Sequence, residues 1–379
     1  MTGNARFDVI VIGCGGMGSA VVSHLARRGK SVLGLERFDI PHAMGSSHGV
    51  SRIIRLAYYE DPAYAPLLRR SYELWRDLER EAGEQLLYIT GSIDASEPDG
   101  AVFLGSLRTC ELQGIEHTVL TSPELSARFP GYQLPSNHVA LYQPEGGFLL
   151  SERCIVAHVN QALAAGAELH ARERVIDWEE NANRVTVITE KATYHADQVV
   201  LSAGAWNGAM AATLSGLLAP ERQVLAWFQP LSPEMFQPDN FPVFNLTVEE
   251  GRYYGFPVFG IPGFKVGRYH HLDEQVDPET MDREPNPQDE AILRVFTDRY
   301  FPRARGPAMT LRTCMFTNTP DEHFIIDRLP DFERVLAVSP CSGHGFKFCS
   351  VIGEIVADLV IKGSTSHDIS LFSLGRFDA

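Results

Sequence analysis

The first patterned stretch, Phe7 to Ile12, is a short β-branched run, the pattern of a strand buried in a parallel sheet. Glycines interrupt it at once. Ala20 to Arg28 then carries a helical pattern that Gly29 ends, and a second strand, "SVLGLE", closes on Glu36. Pro66 to Ala82 predicts a helix with Leu67, Leu68, Leu74, Trp75 and Leu78 on one side. "SERCIVAHVNQALAAGAEL" predicts another, followed by strands near "RVIDWEE", "RVTVITE" and "ATYHADQVVLSAG". The run "DQVVLSAGAW" reads as a buried strand entering a glycine turn, which suits a return to the first sheet. "RQVLAWFQPL" and "GRYYGFPVFG" alternate apolar residues with polar or aromatic ones, as antiparallel strands do. A loop and helix follow in "DPETMDREPNPQDEAILRVFTDRYFP", and the last helix runs from near Phe348 to near Gly363. Strands and helices alternate at both ends, with antiparallel-looking strands between them. The expectation is a mixed α/β fold: one domain of discontinuous segments and an inserted sheet domain.

Composition narrows the class. The 379 residues suffice for two domains, and 44% hydrophobic residues can fill their cores. The net charge of −15 argues against nucleic acid and against an anionic membrane surface. No internal repeat or low-complexity linker appears. The six cysteines are scattered without a CxxC pair, which argues against a zinc site or any other metal centre. No apolar run reaches the length needed to cross a bilayer. A soluble, reduced, cytoplasmic protein is expected.

The glycines after Ile12 carry the first chemistry. Gly13-Cys14-Gly15-Gly16-Met17-Gly18 fits GxGxxG between a strand and a helix. Gly13 permits the tight turn, Gly15 lets the backbone approach a pyrophosphate, and Gly18 lets helix and strand pack closely. The helix start offers free N–H groups and a positive dipole to phosphates. Glu36, at the end of the second strand, suits a ribose diol, and Arg37 stands beside it. The motif alone does not decide between NAD and FAD. The polar loop after Arg37, with Ser46, Ser47, His48, Gly49, Ser51 and Arg52, is unlike the next simple turn of an NAD domain. It reads either as a surface loop or as the wrapping of a large cofactor.

Other residues leave two readings each. Cys314, in "RTCMFTNTPDEHFIID", is either a small buried hydrophobe or a thiol that nearby Arg312 activates. Arg52 and Arg55 would share a helix face but diverge on a strand. Lys265, between apolar neighbours in "GFKVGRYHH", either faces solvent or points inward with a task. The glycines of "SGHGFKF" let backbone approach a ring at the start of the final helix, where N–H groups favour negative charge.

These stretches together identify a resemblance. "GSSHGVSRIIRLAY" is similar to the flavin loop of monomeric sarcosine oxidase and N-methyltryptophan oxidase, amine oxidases with covalently bound FAD. The likeness continues in order through "YYGFPVFG", "FKVGRYHH", "CMFTNTPDEHFIID" and "SGHGFKFCSVIGEIVADL", over nearly the whole chain. It implies a Rossmann-like FAD-binding domain in residues 1–85, 146–220 and 320–379, and a substrate domain in 86–145 and 221–319. It implies a thioether from Cys314 to the flavin 8α-methyl group, with His48 and Arg52 in the flavin environment. Gly343, His344, Gly345, Phe346 and Lys347 would line the flavin. Arg55 and Lys347 would grip a substrate carboxylate, and Tyr254 would stand on the substrate side. Lys265 would activate oxygen on the opposite flavin face.

The activity so implied is oxidation of a secondary, N-methyl amino acid to an imine, with oxygen reduced to hydrogen peroxide by a monomeric enzyme. Alternatives are a bulkier or cyclic substrate (N-methyltryptophan, pipecolate, proline), a flavin dehydrogenase with another acceptor, and a non-catalytic flavin- or nucleotide-binding regulator. Three positions depart from sarcosine oxidase. Phe316 replaces a second active-site tyrosine, and Asn245 replaces a methionine. Tyr269 stands where the relatives have a histidine; either His270, one residue on, restores it, or the role has moved.

Overall fold

The strand Arg6–Ile12 pairs in parallel with Val32–Leu35 on one side and Thr193–Leu201 on the other. Covered on both sides, its Val9, Ile10 and Val11 are buried, which is why the run tolerates no alternation. The computed structural model describes residues 6–377. The first sheet runs Val175–Asn181, Arg184–Thr189, Thr193–Leu201, Arg6–Ile12, Val32–Leu35, Glu168–His170, and Val335–Ser339 also joins Thr193–Leu201 in parallel. The helices Ser151–Ala164 and Cys349–Lys362 both pack against Gly16–Arg27.

A second eight-stranded sheet runs Ala308–Asn318, Ala219–Phe228, Phe264–Arg268, Gly251–Phe256, Val243–Val248, Ser92–Ser96, Val139–Gln143, Thr118–Thr121. All its pairings are antiparallel except that of Ser92–Ser96 with Val243–Val248. Phe236, Phe241, Phe244, Phe264, Phe296 and Phe301 form its aromatic core. A small sheet of Ser51–Ile54, Gly147–Leu150 and Leu87–Ile89 completes the strands that matter here. The strands of the first large sheet come from 6–35, 168–201 and 325–339, those of the second from 92–143 and 219–318.

Several boundaries differ from the sequence pattern. The first helix starts at Gly16, not Ala20, because the motif glycines are themselves its first turn. The helix expected over 151–169 stops at Ala164, and Glu168–His170 is an edge strand. Cys314 lies inside one long strand, Ala308–Asn318. The helix Ala101–Gln113 gave no periodic signal, since Leu104 and Leu112 are exposed opposite buried Val102 and Phe103. Among the described residues no helix is long and apolar enough to cross a membrane.

Candidate active site

The glycine motif opens one end of a cleft whose empty space, open solvent included, is about 1430 Å³. Gly13 turns the chain with φ +92°, and a Cβ there would lie 2.6 Å from the Ser202 carbonyl oxygen. A Cβ on Gly18 would stand 1.8 Å from the Gly13 oxygen, so strand and helix meet without side chains. Gly15 has nothing within 4 Å of where its Cβ would be, leaving the helix start open to the cleft. Glu36 accepts from the Cys14 N–H (2.9 Å) and the Phe38 N–H (3.0 Å). Those bonds fix a carboxylate that has lone pairs left for a diol. Burial alone would raise its pKa, yet His42 and the two backbone donors hold it below the usual range. Arg37 lines the same cleft and pairs with Glu279, whose carboxylate also accepts from the Trp206 indole at 2.9 Å.

Further along, the loop 42–50 forms the cleft wall through Gly45, Ser46 and Ser47. Two charged residues hold the loop, half-buried Glu152 and buried Lys265. Glu152 accepts from the Gly49 N–H (2.7 Å) and the Val50 N–H (3.1 Å). The Lys265 ammonium donates to the Gly49 carbonyl (2.8 Å), the Ser51 carbonyl (2.7 Å) and the Ser51 hydroxyl (3.1 Å), and lies 4.0 Å from the Phe256 ring centre. Burial pulls its pKa well below the ordinary lysine value, Arg52 pushes the same way, and Glu152 opposes them. Lys265 therefore points inward, as one of its two sequence readings had it. It lines neither cavity described here. His48 is also buried and lines neither. Its Nε2 has no partner, and burial takes its pKa down to about 4.

Arg52 sits on the strand Ser51–Ile54 and Arg55 just beyond it, and both line one chamber with Cys314. Arg52 donates to the Ser46 carbonyl (2.6 Å) and the Ser51 carbonyl (2.8 Å), and its Nη2 lies 3.7 Å from the Cys314 Sγ. The guanidinium beside the thiol is thus Arg52. Arg312 is exposed, which corrects the expectation that it serves Cys314. Sequence proximity misled because the tertiary fold sets residue 52, from the small sheet, against residue 314 of the second large sheet.

Cys314 lines a second, smaller chamber of about 530 Å³, with Arg55, Asn245, Tyr254, Tyr269 and Lys347. Cleft and chamber share Arg52, Phe316, Gly343 and Phe346 as walls. Gly343 has φ +76°, and a Cβ there would strike the Phe316 ring at 2.7 Å. Gly345 has none to spare either, since its Cβ would meet the Pro340 oxygen at 1.6 Å. The two glycines let the backbone pack closely against Phe316 and Pro340 at this junction.

The chamber's charges are buried and closely set. The Arg55 Nη2 lies 3.2 Å from Glu60, and Nε lies 3.3 Å from Asp94. Its Nη1 has no partner. Burial favours protonated Glu60, but Arg55, then His344 and Lys347, hold it at about 2. For Asp94 burial outweighs Arg55, and its pKa is raised. Lys347 donates to the His344 carbonyl at 2.7 Å, and the Trp75 indole fixes the Lys347 carbonyl at 2.9 Å. Burial, helped by Arg55, takes the Lys347 pKa down to about 7. His344 bonds the Tyr58 hydroxyl through Nδ1 and the Glu322 carbonyl through Nε2 (2.9 Å). A carbonyl only accepts, so Nε2 carries the proton and Tyr58 donates to Nδ1. Burial keeps this ring neutral, with a pKa of about 4.

His270 does not enter the chamber; Tyr269 lines it instead. The backbone turns at His270 with φ +51°, and the ring is held outside by Glu221 (2.8 Å) and Glu322 (3.3 Å). Their hydrogen bonds raise its pKa to about 9. The expected substitute histidine is therefore an ion-pair partner at the rim. Glu60, Asp94, Glu152 and Tyr58 went unnoticed in the sequence. Asp94 gave the one usable signal, an acid inside a strand whose every residue is buried.

A Gly-rich strand–helix turn, a ribose-type acid and a cleft that shares walls with the Cys314 chamber define an FAD-dependent oxidoreductase, and the profile of the family described as "DAO: FAD dependent oxidoreductase" matches residues 8–359. The chain is 41% identical to the monomeric sarcosine oxidase of Bacillus sp. (strain NS-129), covering 98% of this chain and 97% of that one. It is 33% identical to the N-methyl-L-tryptophan oxidase of Yersinia pestis (strain Pestoides F), covering 98% and 99%. The solved structure of NikD, an amino acid oxidase essential for nikkomycin biosynthesis, superposes with a TM-score of 0.85 at 25% identity over 97% of both chains. This chain belongs to the monomeric sarcosine oxidase family of flavoprotein amine oxidases.

Proposed function

We propose that the protein is a monomeric oxidase of secondary, N-methyl amino acids, with FAD held through Cys314 and oxygen reduced to hydrogen peroxide. The observation that carries this reading is the unpartnered, buried Nη1 of Arg55 in a chamber that also holds Lys347. A guanidinium with a free N–H, next to a second cation, suits a carboxylate. The cofactor fits the residues present. Gly15 and the helix start are open for a pyrophosphate, Glu36 has acceptor capacity for a ribose, and Cys314 lines the chamber beside Arg52, a wall that cleft and chamber share. When bound, FAD accepts a hydride equivalent from the amine carbon and passes the electrons to oxygen.

The chain's own residues do the rest. Arg55 and Lys347 orient the acid. Tyr254, Tyr269 and Phe316, with ring centres 5.1 Å and 5.7 Å apart in sequence along the wall, exclude water from the amine end. A dry wall favours the unprotonated amine that the reaction needs. Arg52 offers its charge to the Cys314 sulfur, a nucleophile for the 8α position. Lys265, bonded to the cofactor loop through Gly49 and Ser51, would in its protonated form favour negative charge developing on oxygen. Sarcosine is the first candidate substrate. A bulkier or cyclic secondary amino acid is the second, favoured by Asn245, Tyr269 and Phe316, which all line the chamber. Aerobic assays should show peroxide formed from these acids and little from amines without the carboxylate. Equal turnover of both sets would defeat the reading.

A further inference from the structure

Asn245 lies on the strand Val243–Val248, directly across from Asp94 on one side and Tyr254 on the other. It lines the chamber and is 2% exposed. Its Nδ2 donates to the Asp94 Oδ1 at 3.1 Å. In this geometry the amide N–H side is turned to Asp94 and the amide oxygen away from it. The orientation leaves the Asn245 Oδ1 without any donor. Asp94 meanwhile stands 3.3 Å from the Arg55 Nε. Asn245 is thus joined through one carboxylate to the group that reads the acid end, and an acceptor is left over in the same chamber wall.

We propose that the Asn245 Oδ1 accepts the amine N–H of the substrate, so that the chamber selects secondary over tertiary α-amino acids. This rests on the amino-acid oxidase reading given above and names the residue that discriminates at the amine end. A neutral secondary amine has one N–H, and a neutral tertiary amine has none. A ligand with an N–H satisfies the orphan acceptor, while one without it leaves the acceptor buried and unpaired. That asymmetry is worth at least about tenfold in binding. An α-amino acid can meet both requirements at once, because a single carbon separates its amine from the carboxylate that Arg55 holds.

The test uses the flavin-loaded protein and two inert ring acids of nearly the same shape, pyrrole-2-carboxylate, which has an N–H, and furan-2-carboxylate, which does not. Dissociation constants come from the change in the flavin visible spectrum, with no turnover involved. The wild-type protein should bind the pyrrole acid at least about tenfold tighter. Asn245→Leu should bring the ratio close to one. Loosening of Asp94 and Arg55 in that variant affects both acids alike and cancels from the ratio. The wild-type ratio stands even where Asn245→Leu does not load flavin: equal affinities in the wild type overturn the proposal. So does a ratio that Asn245→Leu leaves unchanged. Failure of every N-methyl amino acid to reduce the flavin would instead defeat the oxidase reading, and it would leave the binding ratio readable.

Discussion

Lys347 makes the binding of acids pH-dependent in a predictable direction. Its ammonium is buried in the chamber, and burial with the Arg55 charge moves its pKa from the ordinary lysine value of 10.5 to about 7. The shift corresponds to about 5 kcal/mol in favour of the neutral amine. A carboxylate bound beside Lys347 supplies the opposite charge and favours the ammonium. Binding above pH 7 must therefore take up a proton. The apparent dissociation constant of an inert acid should be flat below about pH 7 and rise close to tenfold per pH unit above it, until the raised pKa of the complex is reached. The neighbouring groups do not mimic this trend. Glu60 titrates near 2 and His344 near 4, below the window, and Arg55 titrates well above it. Titration of furan-2-carboxylate against the flavin spectrum from pH 6 to 8.5 gives the curve. Lys347→Met should weaken binding at pH 6 and flatten the profile. A pH-independent constant in the wild type, or an unchanged slope in Lys347→Met, would refute the assignment of the carboxylate site to Lys347.

Acid precipitation should leave the yellow colour in the wild-type pellet and release it to the supernatant from Cys314→Ser; colour in the wild-type supernatant would remove the tether. Lys265→Met should slow flavin reoxidation by about 10²–10³ and reduction far less, as separate stopped-flow half-reactions would show. Equal losses in both halves would make Lys265 only a prop for the loop it bonds through Gly49 and Ser51. Arg55→Ala should lower kcat/KM for the amino acid at least about 30-fold, from about 2–5 kcal/mol for a desolvated charge pair, and scarcely affect an amine lacking the carboxylate. The same variant leaves Glu60 and Asp94 buried without their cation, so a lower Tm is also expected, by about 3–5 kcal/mol of stability.

The legible part of this fold was local. Phe7 to Ile12, the glycine turn and Glu36 announced themselves because a buried parallel strand, a tight turn and a strand-end acid each demand particular residue types within a short stretch. Cys314, Lys347 and Arg55 were legible only as members of a motif series, since neither composition nor spacing says that a lone cysteine is anything but core. The rest depended on long-range pairing. Arg52 reaches Cys314 because the loop after residue 41 folds against the strand Ala308–Asn318, and nothing in "RTCMFT" signals it. Glu60 and Asp94 meet Arg55 from a loop and from a strand of a different sheet. The substitution of His270 for Tyr269 failed because one residue reverses direction along a chain, and the positive φ at His270 turns its ring outward to Glu221 and Glu322.

Anaerobic mixing of the purified, flavin-loaded protein with sarcosine and with bulkier and cyclic secondary amino acids tests the central claim most directly. At least one of these acids should bleach the flavin absorbance in a single turnover, and admitting air should restore the colour with formation of hydrogen peroxide. A flavin that stays yellow with every secondary amino acid, or that bleaches equally well with amines lacking a carboxylate, would contradict the account.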